Sequence, residues 1–235
     1  MDRNAPGVWL MPTYGRARTN VARFFTAVQR TGMSTPGMLV VDREEFATGA
    51  YDAGLKFIDR AYRDYQPILT GHDSGLAIAG AMHLRAAIMA ARDGTRRPDA
   101  WDYLAQAGEI GQRLGGDTNH YGLIFGPTNV TIHAVATAIE LDDADEAIRR
   151  SEGFDPAHAV PAERSSHHYI DLARAQFAAG QREPALGSLL TADKLAPQHT
   201  RNHPMARETV TGLIRAHSRT PEPLRSLARR MTVNA

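Results

Sequence analysis

The sequence predicts a mainly α-helical protein: a solenoid of about three irregular helical hairpins and a capping helix, with a small βαβ appendage at the N-terminus. Three observations lead to this prediction. After residue 48, apolar residues recur at helical spacing in segments separated by Gly, Pro and Asp. Before residue 48, two short apolar runs flank one helical stretch. Near the C-terminal end, one pair of helical segments carries small residues at regular positions.

The composition is that of an ordinary globular protein. The chain has 235 residues, of which 43% are hydrophobic, and its net charge is +1. Such a charge does not draw the whole chain onto nucleic acid or a membrane. The lack of cysteine excludes disulfides, thiolate nucleophiles and cysteine metal sites. No run approaches the roughly 18 apolar residues of a membrane span, so the expected location is the cytoplasm.

The first 48 residues differ from the rest of the chain. GVWLM and MLVVD have the length and composition of buried strands, and ARTNVARFFTAVQRTG between them has helical character. A single βαβ unit cannot cover both faces of its sheet. We therefore predict two domains, an appendage over residues 1–48 and a helical repeat domain over residues 49–235.

The remainder is predicted to be helical, with no convincing strand. The predicted helices cover residues 50–65, 74–92, 98–114, 127–141, 143–152, 161–179, 182–196, 203–217 and 221–231. Asp73 or Ser74 is expected to cap the second helix and Asp99 the third. Pro127, in the stretch FGPTN, suits a first helical turn, where its missing N–H has no partner to lose. FGPTN is therefore foremost a helix start and secondarily the edge of a groove.

The clearest hairpin is YIDLARAQFAAGQREPALGSLLTADKLAP. Its residues match positions of the tetratricopeptide (TPR) repeat, namely Leu172, Ala173, Gly180, Ala185, Leu189, Ala192 and Pro197. Ala173 and Ala185 are small enough for two helices to approach closely, and Gly180 permits a tight turn between them. Pro197 is expected to end the second helix.

Two weaker copies precede this hairpin. AIELDDADEAIRR places Ala147, and HLRAAIMAARDGTRRPDAWDYLAQA places Ala100, where the clearest copy has Ala185. Ala100 and Ala147 are 47 residues apart, and Ala147 and Ala185 are 38 residues apart. An uninterrupted TPR array repeats about every 34 residues. The repeats are therefore irregular, and residues 115–126 are predicted to be an insertion.

Residues 51–233 resemble the C-terminal region of bacterial regulators in which a Cro-type helix-turn-helix domain precedes TPR-like repeats. The stretches that carry the resemblance are NHYGLIFGPTNVTIHAVATAIEL, RSSHHYIDLARAQFAAGQREPALGSLLTADKLAPQHTRNHPMARETV and LRSLARRM. The resemblance implies a helical sensor or interaction domain without catalysis. This chain shows no helix-turn-helix pattern, so no direct DNA binding is expected from it.

The first 45 residues instead resemble the opening of a GT-A-type glycosyltransferase. VWLMPTYGR resembles the first strand and its nucleotide-facing loop, and VVD the second strand with its acidic end. The resemblance implies that Thr13, Arg16 and Asp42 lie near the base and ribose of a sugar nucleotide. The rest of that fold, its metal-binding Asp-x-Asp and its catalytic base find no counterpart, so transferase activity is not expected.

A concave groove is the predicted binding site. In a TPR-like stack, the first helix of each hairpin lines the inner surface, and aligning Val135 with Ala173 assigns the inward positions. The candidate residues for binding a ligand or partner are Arg85, Arg92, Asn129, His133, Glu140, His167, Arg174 and Phe177. Arginines in such a groove would suit a peptide carboxylate or a small polar ligand, through bidentate hydrogen bonds.

Two histidine pairs and a basic C-terminal segment have simpler interpretations. His167 with Asp171, and His199 with His203, stand at i, i+4 spacing; this spacing could begin a metal site, but partly exposed helix histidines are the favoured interpretation. No metal or other cofactor is expected. The arginine-rich end is predicted to be a capping helix that covers the last repeat with Leu213, Ile214, Leu224, Leu227 and Met231.

No enzymatic motif is present. GQRLGGD is a helix end and not a phosphate-binding loop, and Ser165, Ser166 and His167 are sequence neighbours without a nucleophile elbow. The predicted function is therefore binding or sensing, in the manner of a transcriptional regulator, with a peptide, a protein or a small molecule as partner and a possible homodimer. The alternatives are an enzyme fragment related to degenerate glycosyltransferases and a fusion product without function.

Overall fold

A computed structural model describes residues 51–120, 123–155 and 161–233. The predicted βαβ appendage, with Thr13, Arg16 and Asp42, lies outside them. The described residues form a mainly helical protein with ten helices and one short hairpin. The elements are α1 (Tyr51–Gly71), α2 (Asp73–Arg92), α3 (Asp99–Leu114), β1 (Thr118–His120), β2 (Leu123–Phe125), α4 (Pro127–Glu140), α5 (Ala144–Arg150), α6 (Ala162–Ala178), α7 (Arg182–Leu195), α8 (Pro197–Asn202), α9 (Pro204–Ala216) and α10 (Glu222–Met231).

The helical character predicted after residue 48 is confirmed, with four corrections. The first helix, predicted over residues 50–65, extends to Gly71 and contains Pro67. The predicted insertion contains two paired strands, although no strand was expected. The short helix α8 was not predicted; Pro197 is its first residue. The expected caps are wrong, because the N-cap residues of α2 and α3 are His72 and Pro98, and neither makes a side-chain cap hydrogen bond. A side-chain cap occurs at α5, where Asp143 accepts a hydrogen bond from the Glu146 amide.

The described chain divides into two compact units, the first ending at Val130 and the second beginning at Thr131. The boundary falls inside α4. The predicted repeat domain, residues 49–235, therefore covers the second unit and part of the first. Each unit has its own buried residues.

In the first unit, α2 is the central helix and packs against both α1 and α3. This helix of 20 residues is long and apolar enough to cross a membrane. However, 72% of its most apolar 18-residue segment is buried inside the protein, as in a core helix. Gly80 on α2 allows the hairpin to pack closely against this helix. A Cβ at that position would overlap the ring of Phe125, which is fully buried.

The hairpin also sets the start of α4. The two strands are antiparallel, with Asn119 opposite Ile124. Just before β1, Asp117 accepts a 3.0 Å hydrogen bond from the Thr128 amide in the first turn of α4. The interpretation of FGPTN as a helix start is confirmed, because Pro127 is the first residue of α4.

In the second unit, α6 and α7 form a hairpin whose small residues are fully buried. Ala173 and Ala185 are both 0% exposed, and Gly180 turns the chain between the helices with φ of 76°. Helices α9 and α10 complete the core, as the capping-helix prediction requires. Leu213, Leu224, Leu227 and Met231 are buried in the same apolar cluster as Ala173, and Ile214 packs against it partly buried.

Candidate functional site

Three histidines of the second unit converge on one point. They are His167 on α6, His199 on α8 and His203 at the junction of α8 with α9. Each offers a ring nitrogen, and these nitrogens lie within 4.8 Å of one another. The ring centroids are 4.9 to 5.9 Å apart, so the rings surround a common centre. We call His167, His199 and His203 the histidine cluster.

A buried hydroxyl pair holds α6 against α8 beside the cluster. The hydroxyl oxygens of Ser166 and Thr200 are 2.8 Å apart, and both residues are 0% exposed. Thr200 also lies 2.8 Å from the Ala192 carbonyl oxygen and 3.0 Å from that of Ala196, two possible acceptors for its hydroxyl. Because Ser166 precedes His167 and Thr200 follows His199, this contact fixes the backbone from which two cluster residues project.

The environment keeps two of the cluster histidines neutral. Burial, and then the neighbouring His167, lower the pKa of His199. Burial, followed by His167, His199 and Arg174, lowers the pKa of His203 to about 4. His199 Nε2 and His203 Nδ1 are buried and have no hydrogen-bond partner. Near neutral pH these rings therefore hold nitrogen lone pairs that hydrogen bonds do not fully use.

Three charged side chains surround the cluster. Asp171, 4% exposed at its side chain, lies 3.5 Å from His167 Nε2 through Oδ2 and accepts a 3.1 Å hydrogen bond from Arg174 through Oδ1. Glu163 acts electrostatically on His199, and Arg174 acts on His203. The cluster thus has two carboxylates and one guanidinium around it, and that guanidinium is paired.

A cavity of about 360 Å³ opens in the same unit. Its lining is partly apolar, with Ile139, Ala144, Phe177, Ala178 and Met205, and partly polar, with Asp142, Asp143, Arg174, Glu208 and Thr209. We call it the Phe177 cavity. A Cβ at Gly212 would meet the Phe177 ring, so this glycine allows the ring to lie against α9.

The predicted groove residues are divided between the two units. Arg85, Arg92 and Asn129 belong to the first, and the other five to the second. Asn129 is 3% exposed and donates its side-chain amide to the Ile124 carbonyl at 3.2 Å, so it stabilises the hairpin and does not line an open groove. Arg85, His133 and Glu140 are half-buried, and Arg92 is exposed.

Two of the predicted residues meet in one cavity. Arg174 and Phe177 both line the Phe177 cavity, and His167 lies in the histidine cluster. Sequence reasoning noted the pairs His167–Asp171 and His199–His203 separately. It missed their convergence, and the repeated i, i+4 spacing was the signal that could have suggested it.

The first unit holds a second polar cavity of about 530 Å³. The Tyr103 hydroxyl donates a 2.7 Å hydrogen bond to Asp59, and Arg96 donates one of the same length to Asp99. His83 also lines this cavity, 3% exposed, with its ring 4.7 Å from that of Tyr62. Burial lowers the pKa of His83, and the charge of Asp59 opposes this effect.

No protein-family model matches the sequence, and no curated protein matches it at a significant level. The resemblances to helical regulators and to GT-A transferases therefore stay predictions. The function has to be inferred from the geometry of the two units.

Proposed function

We propose that this chain is a non-catalytic binding module of the regulator type, built from TPR-like hairpins, and that the Phe177 cavity holds its ligand. The observation that carries the proposal is the cavity itself. Its volume of about 360 Å³ falls in the range of about 300–1,000 Å³ typical of small-molecule sites. Its lining combines apolar walls with a few charged groups, as such sites usually do.

The α6–α7 hairpin supports the TPR-like part of the proposal. Its residues at the repeat positions pack as that architecture requires: Ala173, Ala185, Leu189 and Ala192 are all 0% exposed. Gly180 adopts a left-handed turn conformation, with φ of 76°, that favours glycine. Hairpins of this kind stack through small residues and leave surfaces for binding a partner.

The charges of the lining favour a cationic ligand with an apolar part. Asp142, Asp143 and Glu208 contribute three carboxylates, whereas Arg174 contributes one guanidinium that is already paired with Asp171. A ligand carboxylate would have to compete with Asp171 for Arg174. An amine or guanidinium would instead meet the exposed Asp142 and Glu208, while its apolar part lies on Phe177. We therefore propose a small cationic ligand or a peptide side chain of that chemistry.

The biological setting belongs to the same proposal. A cytoplasmic sensor or interaction module would bind its ligand or peptide here and act on a partner protein or on a second copy of itself. Direct contact with DNA is not part of the proposal.

The test is calorimetric titration of the full chain with two matched sets of short peptides, in buffer containing EDTA. One set places arginine beside leucine or phenylalanine, and the other has glutamate in place of arginine. We expect the arginine set to bind. We expect Asp142→Asn with Glu208→Gln to weaken that binding by roughly tenfold or more, as removal of about 1.4 kcal/mol would do.

The matched control is Glu152→Gln, which removes an exposed carboxylate that does not line the cavity. This variant should bind like the parent chain. Preference for the glutamate peptides, or equal binding by the parent and the double variant, would contradict the proposed ligand chemistry. Failure of both peptide sets to bind would contradict the cavity as a peptide site.

A further inference from the structure

We propose that His167, His199 and His203 form a binding site for one divalent transition-metal ion, with zinc the ion expected first. The site goes beyond the proposed ligand cavity and does not depend on it. Its three donors come from α6, α8 and the junction that follows α8. The donors approach from separate turns of the chain and enclose one point.

The distances suit an ion after a small adjustment. The ring nitrogens lie within 4.8 Å of one another. Zinc–nitrogen bonds of about 2.0–2.1 Å in tetrahedral geometry require ligand nitrogens about 3.3 Å apart. Side-chain rotation can close a difference of this size, because the residues project from a backbone that Ser166 and Thr200 already hold in place.

The donor type indicates which ions fit. Imidazole nitrogen suits zinc, copper, nickel and iron, whereas magnesium and calcium prefer oxygen ligands. Three histidines also leave a fourth coordination position for water or another ligand. The His167 side chain is 42% exposed, so solvent can reach the cluster.

Asp171 is placed to support the site from behind His167. Histidines that bind metal usually donate their other ring N–H to a carboxylate, which fixes the ring and raises its basicity. With Nε2 of His167 facing Asp171 at 3.5 Å, Nδ1 is the atom left for the ion. Arg174 holds Asp171 on its other oxygen and so fixes the carboxylate.

The surrounding charges do not oppose a cation. Arg174, whose charge acts on His203, is paired with Asp171, and Glu163 adds a negative charge near His199. Without an ion, the unpartnered, buried nitrogens of His199 and His203 destabilise the folded chain, because buried polar atoms normally have hydrogen-bond partners. A bound ion would satisfy them.

The test is calorimetric titration of the tag-free full chain with zinc, and separately with magnesium. We expect one zinc ion per chain and no binding of magnesium. His199→Gln and His203→Gln should each weaken zinc binding by roughly 100-fold or more. The change Asp171→Asn should weaken it less, by about 10- to 100-fold, as the loss of a supporting carboxylate does.

The matched control is His72→Gln, because His72 is exposed, lies in the first unit and makes no side-chain cap. It should bind zinc like the parent chain. Circular dichroism of each variant establishes that a loss of binding is not a loss of fold. Equal zinc affinity in the parent chain and in both folded cluster variants would overturn the proposal, and so would failure of the parent chain to bind zinc or an equal response to magnesium.

Discussion

The two units of this chain both bury histidine nitrogens, but they surround them differently. In the first unit, His83 is a single ring with both nitrogens unpartnered, packed near the rings of Tyr62 and Tyr103. In the second unit, His168 is likewise a single buried ring with both nitrogens unpartnered, stacked on Phe154, but the three rings of the histidine cluster converge on one point. A buried histidine walled by aromatic rings is a core residue, whereas several that converge form a set of ligands. Convergence, more than burial, distinguishes the candidate site.

The units also differ in how tightly their aromatic rings are held. Phe125 in the first unit is 0% exposed and lies directly on Gly80. Phe177 in the second unit is partly exposed, lies on Gly212 and borders a cavity. The first ring is fully enclosed by protein, whereas the second borders open space. We therefore expect the Gly212–Phe177 contact to tolerate an added methyl group better than the Gly80–Phe125 contact does.

The largest expected effect tests this difference in space. Gly80→Ala would force a methyl group into the Phe125 ring, and we expect a loss of about 2–3 kcal/mol in the free energy of unfolding, the usual cost of overpacking. Gly212→Ala should cost about 1 kcal/mol or less, because Phe177 can turn into its cavity. Urea denaturation measures both changes.

Two further glycines serve as controls for helix propensity. A Cβ at Gly108 in α3 or at Gly187 in α7 would meet nothing within 4 Å. Alanine at these positions should stabilise the chain by about 0.5–1 kcal/mol, because glycine is a poor helix former. Equal losses for Gly80→Ala and Gly212→Ala would contradict the difference in space between the two rings.

The next comparison is between the buried Ser166–Thr200 hydroxyl pair and the Tyr103–Asp59 hydrogen bond, whose acceptor is partly exposed. Thr200→Val should cost about 2 kcal/mol, because it leaves the fully buried Ser166 hydroxyl without its partner. Tyr103→Phe should cost about 1 kcal/mol, because the side chain of Asp59 is 38% exposed and water can replace the lost donor.

Thermal or urea denaturation of the four chains Thr200→Val, Ser166→Ala, their double variant and Tyr103→Phe checks this ranking. The double variant should cost less than the sum of its single changes, since no unpaired hydroxyl is left behind. Strict additivity would show that the two hydroxyls do not depend on each other.

A smaller effect is expected at the side-chain cap of α5. Asp143→Ala removes the carboxylate that accepts the Glu146 amide hydrogen bond, and we expect a loss of about 1 kcal/mol or less at this exposed helix end. Asp143→Asn keeps an acceptor and should retain most of the stability. Similar losses for alanine and asparagine would mean that the hydrogen bond does not account for the effect.

The smallest effect is a dependence of stability on pH at His83. Because burial lowers its pKa below the ordinary value of 6.5, the unfolded chain takes up a proton before the folded chain does as pH falls. His83 therefore reduces the free energy of unfolding as pH decreases below about 6.5, and it has no such effect above that pH. His83→Phe should flatten this part of the profile.

The measurement is urea denaturation between pH 7.5 and about pH 5 in EDTA, comparing the parent chain with His83→Phe. The charge of Asp59 acts on His83, and the rings of Tyr62 and Tyr103 lie beside it. Identical pH profiles would contradict the lowered pKa.

Helical periodicity was sufficient to predict most of the helices among the described residues. The segments that became α2, α3, α4, α6, α7, α9 and α10 were recognised within one or two residues, because each has an apolar face bounded by Gly, Pro or Asp. The hairpin was missed since strands of three residues are too short to show alternation. The helix α8 was missed because its six residues contain no apolar periodicity.

The candidate site was less predictable, because it depends on contacts between distant residues. Arg174 and Phe177 were identified through their spacing on α6, and both line the cavity. Asn129 was also expected to face the groove, but the hairpin, which was not predicted, buries its side chain. The histidine cluster depends on the packing of α6 against α8, which the Ser166–Thr200 contact fixes across 34 residues of sequence.

We infer that the converging histidines of the second unit bind a metal ion. X-ray absorption at the zinc edge, on the full chain with one equivalent of zinc, tests it most directly. We expect three imidazole nitrogens at about 2.0–2.1 Å from the ion, with one fewer in His199→Gln. A shell of oxygen atoms alone, or an unchanged spectrum in His199→Gln, would contradict it.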